Sequence, residues 1–123
     1  MISISEKDIA VVTGGAGFLG SHMVDLLISR GFAVRVIDNL NSGLEANLGH
    51  IRGSADLVAE WRDVRSLAPD DPLFSGAKYV FHFAGVGDIV PSIEKPLEYM
   101  GVNSQGTVHV LEAARSAGVK KFV

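Results

Sequence analysis

The stretch Thr13-Gly14-Gly15-Ala16-Gly17-Phe18-Leu19-Gly20 most constrains what this chain can fold into. It follows an apolar run, Ile9-Ala10-Val11-Val12, and opens a helical pattern near Phe18. A strand that turns through glycines into a helix aims free backbone N–H groups and the positive end of the helix dipole at one point. That arrangement binds phosphate. Gly14, Gly17 and Gly20 keep the spacing G-x-x-G-x-x-G. In that order they permit a tight turn, let main chain approach a pyrophosphate, and let the helix lie close on the strand. The pattern points to a dinucleotide; the competing reading is a tight structural turn.

The rest of the chain continues the alternation of strand and helix. After the first strand, Ile9–Thr13, the helix places Leu19, Met23, Leu26 and Leu27 on one apolar face and ends at Gly31. Residues 33–37 read as a second strand, and Asp38 to Gly43 as a polar turn at its end. Residues 44–52 read as a short, weak helix, 56–61 as a third strand, and 68–76 as a loop rich in Pro and Asp. A fourth strand covers 79–83, and a loop runs to Pro91. A long helix, in one or two parts, covers 92–117, with Val110, Leu111, Ala114 and Ala117 on its buried side and Gly118 as its cap. A fifth strand begins at Lys120. This alternation predicts a parallel sheet with right-handed crossovers. The expected fold is one doubly wound α/β domain over 1–123 with strand order 3-2-1-4-5. Phe122-Val123 reads as mid-strand, with no turn or cap after it. The expectation is a fifth strand cut short in a piece of a longer protein, with an apolar sheet edge open to self-association.

Composition removes several classes of function. A chain of 123 residues that is 47% hydrophobic can bury a core. With 11 basic and 14 acidic residues, net −3, and no block of like charge, it is not expected to bind nucleic acid or a membrane. There is no cysteine, so no disulfide framework or thiolate chemistry is available, which suits a reducing cytoplasm. Met1 to Asp8 is polar with no signal-peptide pattern, and no apolar stretch reaches membrane-spanning length. His22, His50 and His109 are scattered without metal-ligand spacing, and no metal is expected.

Four further positions carry candidate chemistry. Asp38 ends the second strand, eighteen residues after Gly20. A carboxylate there accepts from ribose hydroxyls and repels a 2′-phosphate, which favours NAD over NADP; the alternative is an Asx turn. Asp63, with the Val64 N–H, sits where an adenine would lie, or it pairs with Arg62 or Arg65. Phe83-Ala84-Gly85 ends the fourth strand across the switch point, where small residues let main chain run beside the cofactor. His82 before them reads as a packed strand histidine, and Trp61 as core. Asn103 either hydrogen-bonds main chain near the site or serves helix packing. Gly106 costs about 1 kcal/mol inside a helix, so it is expected to permit close packing.

Together these residues resemble the extended short-chain dehydrogenase/reductase family, and within it the UDP-glucose 4-epimerase-like enzymes. Thr13 to His22 is similar to T-G-G-x-G-[FY]-[IL]-G-S-H, Asp38-Asn39-Leu40 to D-N-L, Asp63-Val64 to D-[IV], and His82-Phe83-Ala84-Gly85 to H-[FL]-A-[AG]. Ser92 to Tyr99, Asn103-x-x-Gly106-Thr107 and Leu111 to Arg115 match the helix that follows. The resemblance implies a Rossmann fold and NAD contacts at Gly14, Gly17, Phe18, Leu19, Gly20, Asp38, Asn39, Leu40, Asn41, Ser42, Gly43, Asp63, Val64, Phe83, Ala84, Gly85 and Asn103. It implies a nucleotide-sugar substrate, transient oxidation at sugar C4 by bound NAD, and a homodimer. A nucleotide-sugar dehydratase and a non-catalytic dinucleotide-binding module are the alternatives. Relatives use a Tyr-x-x-x-Lys pair. Here Phe83 stands four residues after Tyr79 and Asn103 four after Tyr99, so no catalytic residue is assigned in this chain and it is expected to be inactive alone. Galactose-type relatives tend to carry Lys two residues after H-F-A-G, where this chain has Gly87.

Overall fold

The computed structural model describes residues 6–123, so most of the polar lead read at Met1 to Asp8 lies outside the described residues. Five parallel strands form one sheet in the order β3-β2-β1-β4-β5. They are β1 (Ile9–Thr13), β2 (Ala33–Asp38), β3 (Leu57–Trp61), β4 (Ala77–His82) and β5 (Lys121–Phe122). β1 is central, and its alternating side chains enter two cores. Val11 packs with Ile37, Phe74, Val80 and Val110 on one face. Ala10 and Val12 pack with Val24, Leu27, Val36 and Leu48 on the other. A strand buried on both faces reads as a continuous apolar run, which is why β1 was legible. The chain crosses from one side of β1 to the other between β3 and β4, so the carboxyl ends of β1 and β4 diverge at a topological switch point.

Helix α1 (Phe18–Ser29) stops where Gly31 takes φ +86, as expected of a residue just past a helix end. Its buried face differs from the expected one. Gly20, Ser21, Val24 and Leu27 face the sheet, while Leu19 and Leu26 are 64% and 45% exposed. Small residues let the first turn lie directly against the glycine turn, which leaves Leu19 and Leu26 outward while Leu27 stays buried.

The short helix expected over 44–52 is a 3-10 helix, Glu45–Ile51. The segment expected as plain loop contains a 3-10 turn, Pro72–Phe74, capped by the Asp71 carboxylate and burying Leu73 and Phe74. Trp61 is only partly buried; its Nε1 donates to Glu45 at 3.0 Å and Arg52 lies over its ring.

The expected long helix is segmented. It begins before Pro91, as α2 (Ile89–Glu94), and breaks at Lys95, since a residue preceding proline is disfavoured in helical conformation. It continues as α3 (Pro96–Met100), a π-turn (Gly101–Gln105) and α4 (Gly106–Ser116). Val110, Ala113 and Ala114 form its buried side, while Leu111 is 42% exposed. Gly106 packs as expected: a Cβ there would sit 3.0 Å from Val64 Cγ2. Beyond Phe122, the Val123 carbonyl still accepts the His82 N–H at 2.8 Å. Among the described residues, no helix is long and apolar enough to cross a membrane.

Candidate functional site

The glycine turn is held from both sides of the switch point. Gly14 adopts φ +67, a conformation L side chains rarely adopt, and a Cβ there would lie 2.7 Å from the Ala84 nitrogen. A Cβ on Gly20 would lie 2.0 Å from the Gly14 carbonyl oxygen, so α1 can start this close to the turn only with glycine. Gly17 precedes α1 with an extended backbone and provides no side-chain cap, and the first turn of α1 carries no acidic residue. The N-terminal N–H groups of α1 are therefore left without an internal acceptor, at the positive end of the helix. This is the chemistry an external anion satisfies.

A cleft opens beside this turn at the carboxyl end of the sheet. Gly14 and Gly17 form its floor. Asp38, Asn39, Asn41, Ser42, Gly43, Asp63 and Val64 line the β2–β3 side, and Phe83, Ala84 and Gly85 the β4 side. Three lining residues were not singled out from the sequence: Arg62, Val86 and Val102. Each adjoins a residue that was, and adjacency was the only signal. Five of the positions named from the resemblance are not among the lining residues. Phe18 and Leu19 stand exposed at the start of α1, at 77% and 64%. Gly20 lies beneath the turn, Leu40 in the loop after β2, and Asn103 behind the β4 side.

Asp38 is buried, and both of its oxygens are engaged. Oδ2 accepts the Ala16 N–H at 2.9 Å, and Oδ1 accepts the Leu40 N–H at 2.8 Å. The Asx turn is therefore formed, with Leu40 at φ +59, and the same carboxylate ties the glycine turn to the end of β2. An ionised carboxylate has about four acceptor directions, so the two N–H groups leave room for further donors. The Ala16 carbonyl accepts from the Leu44 N–H and the Asn47 side chain, closing the attachment.

Asp63 pairs with Arg65: Nη2 donates to Oδ2 at 2.8 Å, and the Arg65 main-chain and Nε N–H groups donate to Oδ1. The bond from Arg65 is the main cause holding the Asp63 carboxyl below its ordinary pKa. Arg62 instead bridges Asp71 at 2.6 Å and Glu60 at 3.4 Å.

On the β4 side the fastening is neutral. Thr13 Oγ1 accepts the N–H groups of Phe83 and Ala84, both at 3.1 Å, and lies 2.6 Å from His82 Nδ1. His82 Nε2 reaches Thr107 Oγ1 at 3.0 Å. Asn103, in the π-turn, clasps Val86 twice: Oδ1 accepts its N–H and Nδ2 donates to its carbonyl. Burial pushes the His82 imidazole below its ordinary pKa. Among the described residues there is no cluster of three or more possible metal ligands.

A doubly wound sheet with a glycine turn at its switch point defines the dinucleotide-binding class of α/β domains. The chain belongs to the NAD dependent epimerase/dehydratase family, which matches residues 10–123. It is 37% identical over 130 residues to the UDP-glucose 4-epimerase of Bos taurus, covering 98% of this chain and 37% of that protein. It is 37% identical over 120 residues to UDP-glucose 4-epimerase 2 of Oryza sativa subsp. japonica, covering 92% of this chain and 29% of that one. The chain thus spans about a third of the length of these curated relatives.

Among solved structures, it superposes on a UDP-N-acetylglucosamine 4-epimerase from Methanobrevibacter ruminantium M1 in complex with UDP-N-acetylmuramic acid. The TM-score is 0.87 at 32% identity, covering 96% of this chain and 37% of that one. It also superposes on a dTDP-glucose 4,6-dehydratase from Streptomyces venezuelae with NAD bound. There the TM-score is 0.85 at 31% identity, covering 93% and 38%.

Proposed function

We propose that this chain is the NAD-binding part of a nucleotide-sugar 4-epimerase. The observation that carries the reading is the convergence of the uncapped N-terminus of α1 and the buried Asp38 carboxylate on one cleft at the switch point. The α1 N–H groups would take the pyrophosphate, and Asp38 would accept from the adenosine ribose while rejecting a 2′-phosphate. Asp63 and the Val64 N–H would face the adenine. Phe83, Ala84 and Gly85 would flank the other half of the cofactor. NAD, when bound, supplies a reversible two-electron oxidant for the sugar C4 carbinol. The likeness to curated 4-epimerases supports this reaction over other uses of NAD.

The residues that act on the sugar are proposed to lie outside these 123 residues. This is supported by the missing Tyr-x-x-x-Lys pair and by the greater length of the relatives. A cytoplasmic location goes with the reading, supported by a cysteine-free chain.

Homodimer formation is proposed through the exposed apolar residues of α2 to α4, Ile93, Leu97, Met100, Val108 and Leu111. Leu97→Glu in the intact protein should shift sedimentation towards the monomer; an unchanged sedimentation coefficient would remove this face from the interface.

The reaction is tested by giving the intact protein UDP-glucose and UDP-N-acetylglucosamine and reading products by NMR. A 4-epimer is expected. A 4-keto-6-deoxy product would instead support the dehydratase reading, which the NAD-bound Streptomyces venezuelae neighbour favours. Binding of NAD with no conversion of either sugar would support a non-catalytic module.

A further inference from the structure

We infer that His82 is a positioning residue: a neutral imidazole, protonated on Nε2 alone, that couples Thr13 to Thr107 and so fixes the main chain from Phe83 to Val86. The effect on the cofactor rests on the dinucleotide reading above; the proton assignment does not.

The direction of every hydrogen bond in this chain follows from valence. The Asn103 carbonyl can only accept, so the 2.6 Å contact uses the single hydroxyl proton of Thr107. Thr107 Oγ1 must then accept from its other neighbour, His82 Nε2 at 3.0 Å, and Nε2 carries a proton. At the other end, the Ala84 N–H donates to Thr13 Oγ1, and the Phe83 N–H is shared between Thr13 Oγ1 and the Thr13 carbonyl at 3.0 Å. The Thr13 hydroxyl has a single proton, and it finds its acceptor in His82 Nδ1 at 2.6 Å. Nδ1 is therefore bare. A second proton on the ring would set a donor against the Thr13 hydroxyl and leave that hydroxyl's own proton without an acceptor. Burial, which disfavours the charged ring, acts in the same sense.

The relay closes on itself in space. It starts at the N–H groups of Phe83 and Ala84 and ends at the main chain of Asn103, whose side chain grips Val86 at 2.8 and 2.9 Å. The loop lining one side of the cleft is thus tied at both ends to one run of hydrogen bonds. The relay thus links β1 to the π-turn before α4 through side chains. The tie also explains the π-turn: the extra residue in the helical turn aims the Asn103 side chain at the loop while its carbonyl stays on Thr107.

The test has an arm that needs no cofactor. Nitrogen-15 NMR of the imidazole in the intact protein at neutral pH should show a proton on Nε2 and a bare Nδ1. A proton on Nδ1, or a charged ring, overturns the inference. Thr107→Val keeps the side-chain shape and removes the hydroxyl, whereas Thr107→Ser keeps the hydroxyl. Thr107→Val should speed amide exchange at Phe83, Ala84 and Val86 and weaken NAD binding by about tenfold, with Thr107→Ser close to wild type. Equal exchange and equal NAD affinity in wild type and Thr107→Val overturn the positioning role. Failure of the wild type to bind NAD overturns the dinucleotide reading, and NMR and amide exchange then decide the relay by themselves.

Discussion

On the β2–β3 side of the cleft, two carboxylates fix the main chain: Asp38 takes the N–H groups of Ala16 and Leu40, and Asp63 takes that of Arg65. On the β4 side the same task falls to neutral groups, Thr13, His82 and Asn103. A carboxylate accepts strongly and has lone pairs to spare, so its side can hold the backbone and still receive donors from a ligand. The neutral side has less to spare. Its hydroxyls and imidazole are committed to one another, and the loop they hold offers a ligand main chain and the uncharged residues Phe83, Ala84 and Gly85. One wall provides recognition, the other shape.

The two sides share one part, the glycine turn. Gly20→Ala would place a Cβ 2.0 Å from the Gly14 carbonyl. The turn must then move, taking Ala16 from Asp38 and Thr13 from Phe83 and Ala84. A loss of about 3 kcal/mol or more in urea unfolding is expected. Asp38→Ala breaks one side alone and leaves two N–H groups without an acceptor, costing about 1–3 kcal/mol in the same measurement.

The two sides should also fail in different ranges of pH. The His82 pKa is lowered in the fold, so the unfolded chain binds more protons just below the ordinary imidazole value. Its contribution is full above about pH 6.5 and falls as pH drops from there towards the lowered value. The Asp63 pKa is also lowered. That contribution is full above the ordinary carboxyl value and is lost only as pH falls through the range below about 4. Subtracting the unfolding curve of His82→Phe from that of wild type should isolate the first window; a flat difference between pH 7 and 5 would remove it. The smallest effect belongs to Asp63→Asn. It opens a largely exposed pair, should cost under about 1 kcal/mol, and should cost less still in high salt.

The strand order and the glycine turn were readable because they depend on local patterns: apolar runs of strand length, glycine spacing, and a carboxylate at a strand end. The errors have physical causes. Leu19, Leu26 and Leu111 were placed inward because periodicity weighs apolar residues, whereas α1 docks through Gly20 and Ser21. Pro96 gave some warning of the break at Lys95. The π-turn had no signal beyond the glycines at its ends. His82 read as a packed strand histidine because its partners, Thr13 and Thr107, lie 69 and 25 residues away. Only the pairing of β1 with β4 and the docking of α4 bring them together. The Asp63–Arg65 pair was foreseen as one of two readings, and the structure forms it while leaving Asp63 on the cleft.

The central claim is that Asp38 and the α1 N-terminus form an NAD site. Calorimetry of NAD and NADP with the intact protein, in wild type and Asp38→Ala, tests it directly. Wild type should prefer NAD, and Asp38→Ala should lose about tenfold or more in NAD affinity, narrowing the gap to NADP. An Asp38→Ala protein that is folded and binds NAD as tightly as wild type would contradict it.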